Sequence, residues 1–394
     1  MKKFINLSFI LAGGLFLFAS CAEKEVSETE SEPSPFAIET EKLTLRVDTL
    51  FTDFENPWGM TWLPDGRMLV TERKGEILIF KDDKYTGEKL SGVPAVSEVN
   101  QAGLLDITIH PDYQTNGWIY LSYARTKGEG EVLVISRAKL NGNALENLEE
   151  IFEANPEWKG GRHFGSRIIF DKDNYLFFSN GDKGSRPMNA QELDTDHGKI
   201  HRIHDDGRIP TDNPFVNTAG ASPSIWTYGN RNPQGMIYDK ANDRIWAVEH
   251  GPKGGDELNL IQKGKNYGWP VISYGINYDG TVLTEFTEKE GMEQPVTYWV
   301  PSIATCGMTL VTSDKYPEWK GNVLVAGLAG QQIARVELDG IKAVGEETLL
   351  KDIGRVRQVS ESPEGYIYAM TEVTGLLIKL VREKSNAIPV QPRD

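Results

Sequence analysis

One pattern recurs six times along this chain. GMTWLPDGRMLVTE (59–72), LDITIHPDYQTNGWIYLSYA (105–124), SRIIFDKDNYLFFSNGD (166–182), GMIYDKANDRIWAVE (235–249), GMTLVTSDKYPEWKGNVLVAG (307–327) and RQVSESPEGYIYAMTE (357–372) each read as an alternating strand, a turn holding Pro, Asp, Asn or Gly, and a second alternating strand. Alternation with a period of two, broken by turn residues, is the pattern of a hairpin. The copies recur every 44 to 78 residues, measured between their turns, which leaves room in each repeat for two more strands and a loop. Four strands repeated around an axis make a propeller. The expectation is therefore an all-β chain folded as a six-bladed β-propeller with four-stranded antiparallel blades. No long stretch keeps a 3.6-residue period between the glycines and prolines, which excludes a helical fold. A stacked β-solenoid would repeat at shorter intervals, and two sandwiches would not explain one shared hairpin.

The two ends differ from this body. Lys2 and Lys3 precede an apolar run from Phe4 to Phe18, and Ala19, Ser20 and Cys21 follow. That run is short for a membrane span and fits a secretory signal with a small-residue cleavage site. Residues 22 to about 40 are rich in Glu, Ser and Pro without an apolar period, the composition of a disordered tether. The plan read from the chain is a signal over 1–20, a tether over 21–40, the propeller over 41–385 and a tail over 386–394. The end of the signal resembles a bacterial lipoprotein lipobox, with Phe18 where leucine is usual. That resemblance implies acylation of Cys21 and an exported protein in the cell envelope, touching the membrane only through its lipid. An uncleaved anchor helix would also place the domain outside the cytoplasm. With Cys21 used, Cys306 has no partner for an internal disulfide, so stability must come from packing or bound ions. The formal charge is −15, of which residues 1–40, with three Lys and six Glu, carry only −3. An acidic body argues against nucleic acid as a partner.

Candidate chemistry sits where the repeats begin, because a propeller gathers the loops ahead of its innermost strands at one mouth. KGGRHFGSR (159–167) puts His163, a side chain that titrates near neutral pH, in a glycine-rich entry to the third hairpin. YGNRNPQG (228–235) puts Arg231 and Asn232 at the equivalent place in the fourth. Arg231 offers a rigid fork of donors for an oxyanion or carboxylate, or else ties loop carbonyls together. EHGPKGGDELNLIQKGKNYGWP (249–270) supplies glycine and proline carbonyls, Asp256, Glu257 and the Tyr267 hydroxyl, an oxygen-rich set suited to calcium. It lacks the Lys-Ser/Thr ending of a phosphate-binding loop. In GRVRQV (354–359), Arg355 and Arg357 alternate and project to one face of a strand, where they would attract a polyanion if they are not simply solvated.

Other features carry less. His197, His201 and His204 in HGKIHRIH mimic a helical metal site, but Gly198 and the alternation favour a strand that turns His201 and His204 to opposite faces. DKDN (171–174) is a hairpin turn like those of the other repeats. There is no Gly-x-Ser-x-Gly elbow, and Cys306 has no neighbouring base in PSIATCGM.

From about Asn56 to Leu380 the chain resembles the glucose/sorbosone dehydrogenase family, the soluble aldose sugar dehydrogenases that use pyrroloquinoline quinone. The resemblance rests on NPWGMTWLPDGRMLVTER, QAGLLDITIHPDYQTNGWIYLSYA, GRHFGSRIIFDKDNYLFFSNGDKG, YGNRNPQGM, EHGPKGGDELNLIQKGKNYGWPV and PEWKGNVLVAGL, met in that order. It implies a six-bladed propeller that oxidises an aldose at the anomeric carbon. His163 would be the general base, oriented by Asp182. Gln101, Arg231 and Asn232 would hold the quinone, with Tyr278, Arg355 and Arg357 as further contacts, and Arg231 would also stabilise the growing oxyanion. Carbonyls of Gly251 and Pro252 would bind calcium, and Glu257 and Tyr267 match a calcium pair in part of the family. Three departures stand out: Ala329 where the family has a lysine for a cofactor carboxylate, Asn230 for a histidine, and Gln358 for an aspartate. Ala329 keeps open a propeller that binds sugar or protein without redox chemistry. A calcium-dependent lactonase on this fold would need more carboxylates at the repeat entries than the chain supplies.

Overall fold

Each of the six hairpins forms the inner half of one blade. In the computed structural model, which describes residues 35–383, the innermost strands are Pro57–Trp62, Leu104–Ile109, Ile168–Phe170, Pro233–Asp239, Thr305–Leu310 and Arg355–Glu361. Each pairs antiparallel with the next strand in sequence, and two further strands complete a four-stranded blade. Neighbouring innermost strands touch all the way round, the sixth against the first, so the blades close into a ring. The six-bladed architecture expected from the repeats is the one observed.

Closure uses the start of the body. Thr44–Phe51 pairs with Leu377–Arg382, with Val47 opposite Leu380, so the sixth blade is completed by a strand from the other end of the chain. Phe36–Glu39 then adds a fifth strand at its edge. This strand falls inside the stretch expected as tether; Ile38 packs against the core of blades five and six, a local signal hidden by the Glu, Ser and Pro just before it. The expected signal segment, Cys21, most of the tether and the 386–394 tail lie outside the described residues. Among the described residues no helix is long and apolar enough to cross a membrane.

Blades pack face to face, so inner strands are buried on both sides; all five residues of Val323–Gly327 are buried. The axis is different. Five innermost strands show a register shift at the same level, in the segments Pro57–Met60, Leu104–Ile107, Pro233–Gly235, Thr305–Met308 and Val356–Gln358. A bulge twists a strand and re-aims a side chain. Here the re-aimed residues, with Arg167 from blade three, meet as one polar ring with a member from every blade. Asp106 accepts from Arg167 at 2.7 Å, and Arg167 donates to the Gln234 carbonyl at 3.0 Å. The Gln234 side chain accepts from Arg357 at 2.7 Å, and Arg357 reaches Cys306 Sγ at 2.9 Å. The Trp58 ring lies 4.3 Å from the Arg167 guanidinium carbon. Close approach at this level needs glycine: a Cβ on Gly235 would stand 2.2 Å from the Cys306 carbonyl oxygen.

Candidate active site at the propeller mouth

Above the ring, the glycine-rich entry to blade three lies across the loop between blades one and two. Gly161 permits this, since its φ is +60° and a Cβ there would meet the Val99 carbonyl at 2.2 Å. Gln101 on the underlying loop accepts from the His163 backbone N–H at 2.9 Å. His163 itself has φ 51°, a left-handed conformation that costs a non-glycine residue and is held by its surroundings. Its Nδ1 lies 2.5 Å from Asp182 Oδ1. Gly184 covers the ring, where a Cβ would come within 3.2 Å of Cε1.

Asp182 is fully engaged. Its Oδ1 also accepts from the Gly184 N–H at 2.8 Å, and its Oδ2 accepts from Trp269 Nε1 at 2.7 Å. Burial pushes this carboxyl up, but the hydrogen bond with His163 and the nearby positive charges outweigh burial and hold it below the usual carboxylate range. An ionised Asp182 accepts a hydrogen bond from Nδ1–H, which leaves the Nε2 lone pair of His163 free. Burial lowers the imidazole's affinity for a second proton; the Asp182 bond opposes this and Arg231 reinforces it, with a net shift downward. His163 is thus a neutral imidazole at pH 7, oriented by Asp182.

Arg231 and Asn232 join the same cluster. The Asp182 N–H donates to the Arg231 carbonyl at 2.8 Å, and Gly165 N–H to Asn232 Oδ1 at 3.0 Å. The Arg231 guanidinium stands 5.2 Å from the Trp269 ring centre and donates to the His250 carbonyl at 3.1 Å, while its buried Nε has no hydrogen-bond partner among the described residues. His163, Asp182, Gln101, Arg231 and Asn232 are therefore brought together.

Beside Arg231 a small cavity is lined by Glu249, Gly251, Glu257, Tyr267 and Trp269. Asn259 Nδ2 donates to Glu249 at 3.2 Å and to Glu257 at 3.0 Å, so the two carboxylates share one amide. Burial pushes both acids up, Glu249 to about 7 and Glu257 to about 8. Two expected oxygen donors are spent elsewhere. The Tyr267 hydroxyl donates to the Leu260 carbonyl at 2.6 Å and accepts from Gln262 N–H at 2.9 Å, although the residue lines the cavity. Asp256 accepts from Gly251 N–H at 2.9 Å and from Ser302 at 2.8 Å, bracing the loop. Pro252 is buried beside Gly251 but does not line the cavity. Among the described residues no three acidic, His or Cys side chains are grouped to hold a metal, so a cation here would need backbone carbonyls as well.

Arg355 and Arg357 converge as expected, but on an internal partner: Glu372 accepts from Arg357 Nε at 2.8 Å and lies 3.5 Å from Arg355 Nε. Tyr278 is 72% exposed and, among the described residues, shares no hydrogen bond with the cluster. Asn230, at the family's histidine position, donates to Glu249 at 3.0 Å. His201 stacks on Phe178 inside blade three, consistent with a structural role for that histidine. Sequence reasoning missed Trp269, Glu249 and Gly184. Glu249 had a visible signal, as the acid that ends the fourth hairpin directly before HGP. Trp269 and Gly184 had none apart from contacts across the mouth.

With this geometry in hand, the comparisons are specific. The family model described as glucose/sorbosone dehydrogenase matches residues 54–379. An aldose sugar dehydrogenase of Escherichia coli is 39% identical over 345 residues, covering 86% of this chain and 93% of that protein. The crystal structure of a soluble aldose sugar dehydrogenase from Escherichia coli in its apo form superposes with a TM-score of 0.83 at 37% identity, over 86% of this chain and all of that one. The pyrroloquinoline quinone-bound aldose sugar dehydrogenase of Streptomyces coelicolor gives 0.71 at 28% identity, over 88% and 100%.

Proposed function

Because the chain belongs to the glucose/sorbosone dehydrogenase family, we propose that it oxidises aldose sugars at the anomeric carbon to the lactone, with pyrroloquinoline quinone as cofactor and calcium at the Glu249–Glu257 cavity. The observation that carries this reading is the His163–Asp182–Trp269 chain, which leaves one imidazole nitrogen free beside an under-bonded Arg231.

The residues fit both groups. A tricarboxylate quinone needs fixed cations, and Arg231 and Arg355 supply them at the mouth, with Arg357 adding its charge from the ring below; among the described residues Glu372 alone is in salt-bridge contact with any of the three. A hard cation needs oxygen donors, and Glu249 and Glu257 offer it two buried carboxylates that share one Asn259 amide. When bound, the quinone supplies a two-electron acceptor for hydride, and calcium a Lewis acid. The protein does the rest. His163 Nε2 takes the proton of the C1 hydroxyl as hydride leaves C1, and Asp182 stabilises the imidazolium that forms. Arg231 is preorganised to meet negative charge growing on the acceptor oxygen. Export and a lipid anchor at Cys21 belong to the same proposal and rest on the sequence of the first 21 residues.

The test is reconstitution of purified apoprotein with the quinone and calcium, followed by dye reduction with a panel of aldoses. Turnover is expected, and His163→Ala should lower kcat by roughly 10²–10⁴ without weakening quinone binding. A protein that fails to bind the quinone in saturating calcium would instead be a non-redox propeller.

A further inference from the structure

We propose that Arg73 is a cofactor-binding residue, the guanidinium that completes a cradle for the carboxylates of the quinone; this rests on the reading of the site given above. Arg73 directly follows Arg67–Glu72, the second strand of blade one, on the turn into the third. In blade three the same turn carries Asp182, in blade four His250 and Gly251, and in blade five Ala329. The ring symmetry aims all these turns at one mouth. Arg73 joins groups already placed there: its Nη1 donates to the carbonyl of Asn100, next to Gln101, and it lies in the field of Glu372 and Arg357.

Charge balance then asks for a ligand. Arg355 and Arg357 both use Glu372, and Arg73 lies within the reach of its charge, which sets three cations against one anion. Glu72 and Glu98 are the other carboxylates in the field of Arg73. Glu72 already accepts from the N–H groups of Glu55 and Asn56 at 3.1 and 2.9 Å. Among the described residues no carboxylate reaches Arg73 within ion-pair distance, and the guanidinium's single hydrogen bond, to a neutral carbonyl, leaves its Nε without a partner. A planar fork in that state suits a carboxylate. The rival cation is Lys351, whose ammonium reaches the residue after Ala329. It is spent on the turn itself, donating to the Gly330 carbonyl at 2.6 Å and to Gln332 at 3.2 Å.

The experiment measures quinone affinity, by quenching of tryptophan fluorescence in the full-length apoprotein with calcium present. Arg73→Gln should weaken binding on the order of 10- to 100-fold, Arg73→Lys should retain most of it, and Lys351→Met should bind like the native protein. Adding Ala329→Lys to Arg73→Gln should recover most of the loss, because a cation then returns from blade five. If the native protein binds and Arg73→Gln binds equally well, or if Lys351→Met carries the loss, the assignment is overturned. If the native protein does not bind, the functional reading itself fails. Circular dichroism on each variant separates lost affinity from lost fold.

Discussion

The axis of this propeller has two levels built from neighbouring residues of the same strands, and they treat polar groups in opposite ways. In the ring, Asp106, Arg167, Gln234, Cys306 and Arg357 hydrogen-bond to one another, and of these five only Arg167, at Nη2, keeps a buried atom without a partner among the described residues. A few residues higher, His163 keeps a free nitrogen, Arg231 an unpartnered one, and Glu249 and Glu257 crowd together with a single amide between them. A linked network yields rigidity; groups left without partners at the mouth yield a site, at a cost the linked level below can absorb. The contrast predicts that substitutions in the ring change stability, and that substitutions at the mouth change binding and rate.

The largest effect separating the levels should come from Arg167→Met. It strands the buried Asp106 carboxylate, whose pKa burial already raises despite the Arg167 charge, and breaking such a pair costs about 3–5 kcal/mol. The urea midpoint should fall accordingly, and pairing the change with Asp106→Leu should restore much of it, since a packed apolar pair can replace a buried ion pair. If Arg167→Met leaves the midpoint where it was, the ring is not the structural level described above.

A smaller effect tests the mouth. Calcium at a concentration 100 times its Kd should stabilise the native protein by about 2.7 kcal/mol, seen as a rise in Tm. In Glu257→Gln the rise should vanish, while the calcium-free protein should be no less stable, because one of two crowded acids has gone. A full calcium shift in Glu257→Gln would place the ion elsewhere.

The sequence made the ring of blades legible and the contrast between levels only in part. Six alternating hairpins declare a propeller because a period of two survives any detail of packing. His163, Arg231 and Glu257 were legible because they sit at the repeat entries or in a glycine-rich turn, where local pattern and position coincide. What escaped were relations across blades. Nothing near Trp269 in sequence says that its indole reaches Asp182, 87 residues away. Only the fold brings Leu260 and Gln262 to the Tyr267 hydroxyl. Arg355 and Arg357 alternated correctly, yet their shared Glu372 comes from the next strand of the blade. Pattern finds where chemistry can stand, and only tertiary structure says which groups are already paired.

The finest test lies in the one bond that distinguishes a tuned base from a merely placed one. Trp269→Phe keeps a ring beneath Arg231 and removes only the N–H that donates to Asp182 Oδ2. Losing that donor makes the carboxylate a stronger acceptor for His163 Nδ1–H, which favours the imidazolium and raises the folded pKa of His163 from its depressed value. The neutral form is the active one and is populated above that pKa, so in the native enzyme kcat/KM should fall only below the ordinary histidine value of about 6.5. In Trp269→Phe the acid limb should move to higher pH, and a hydrogen bond worth about 1 kcal/mol corresponds to a loss of roughly fivefold near the limb with little change at pH 8. A purely structural role for Trp269 would lower the rate by the same factor at every pH, and that flat profile would remove the tryptophan from the chain that orients the base.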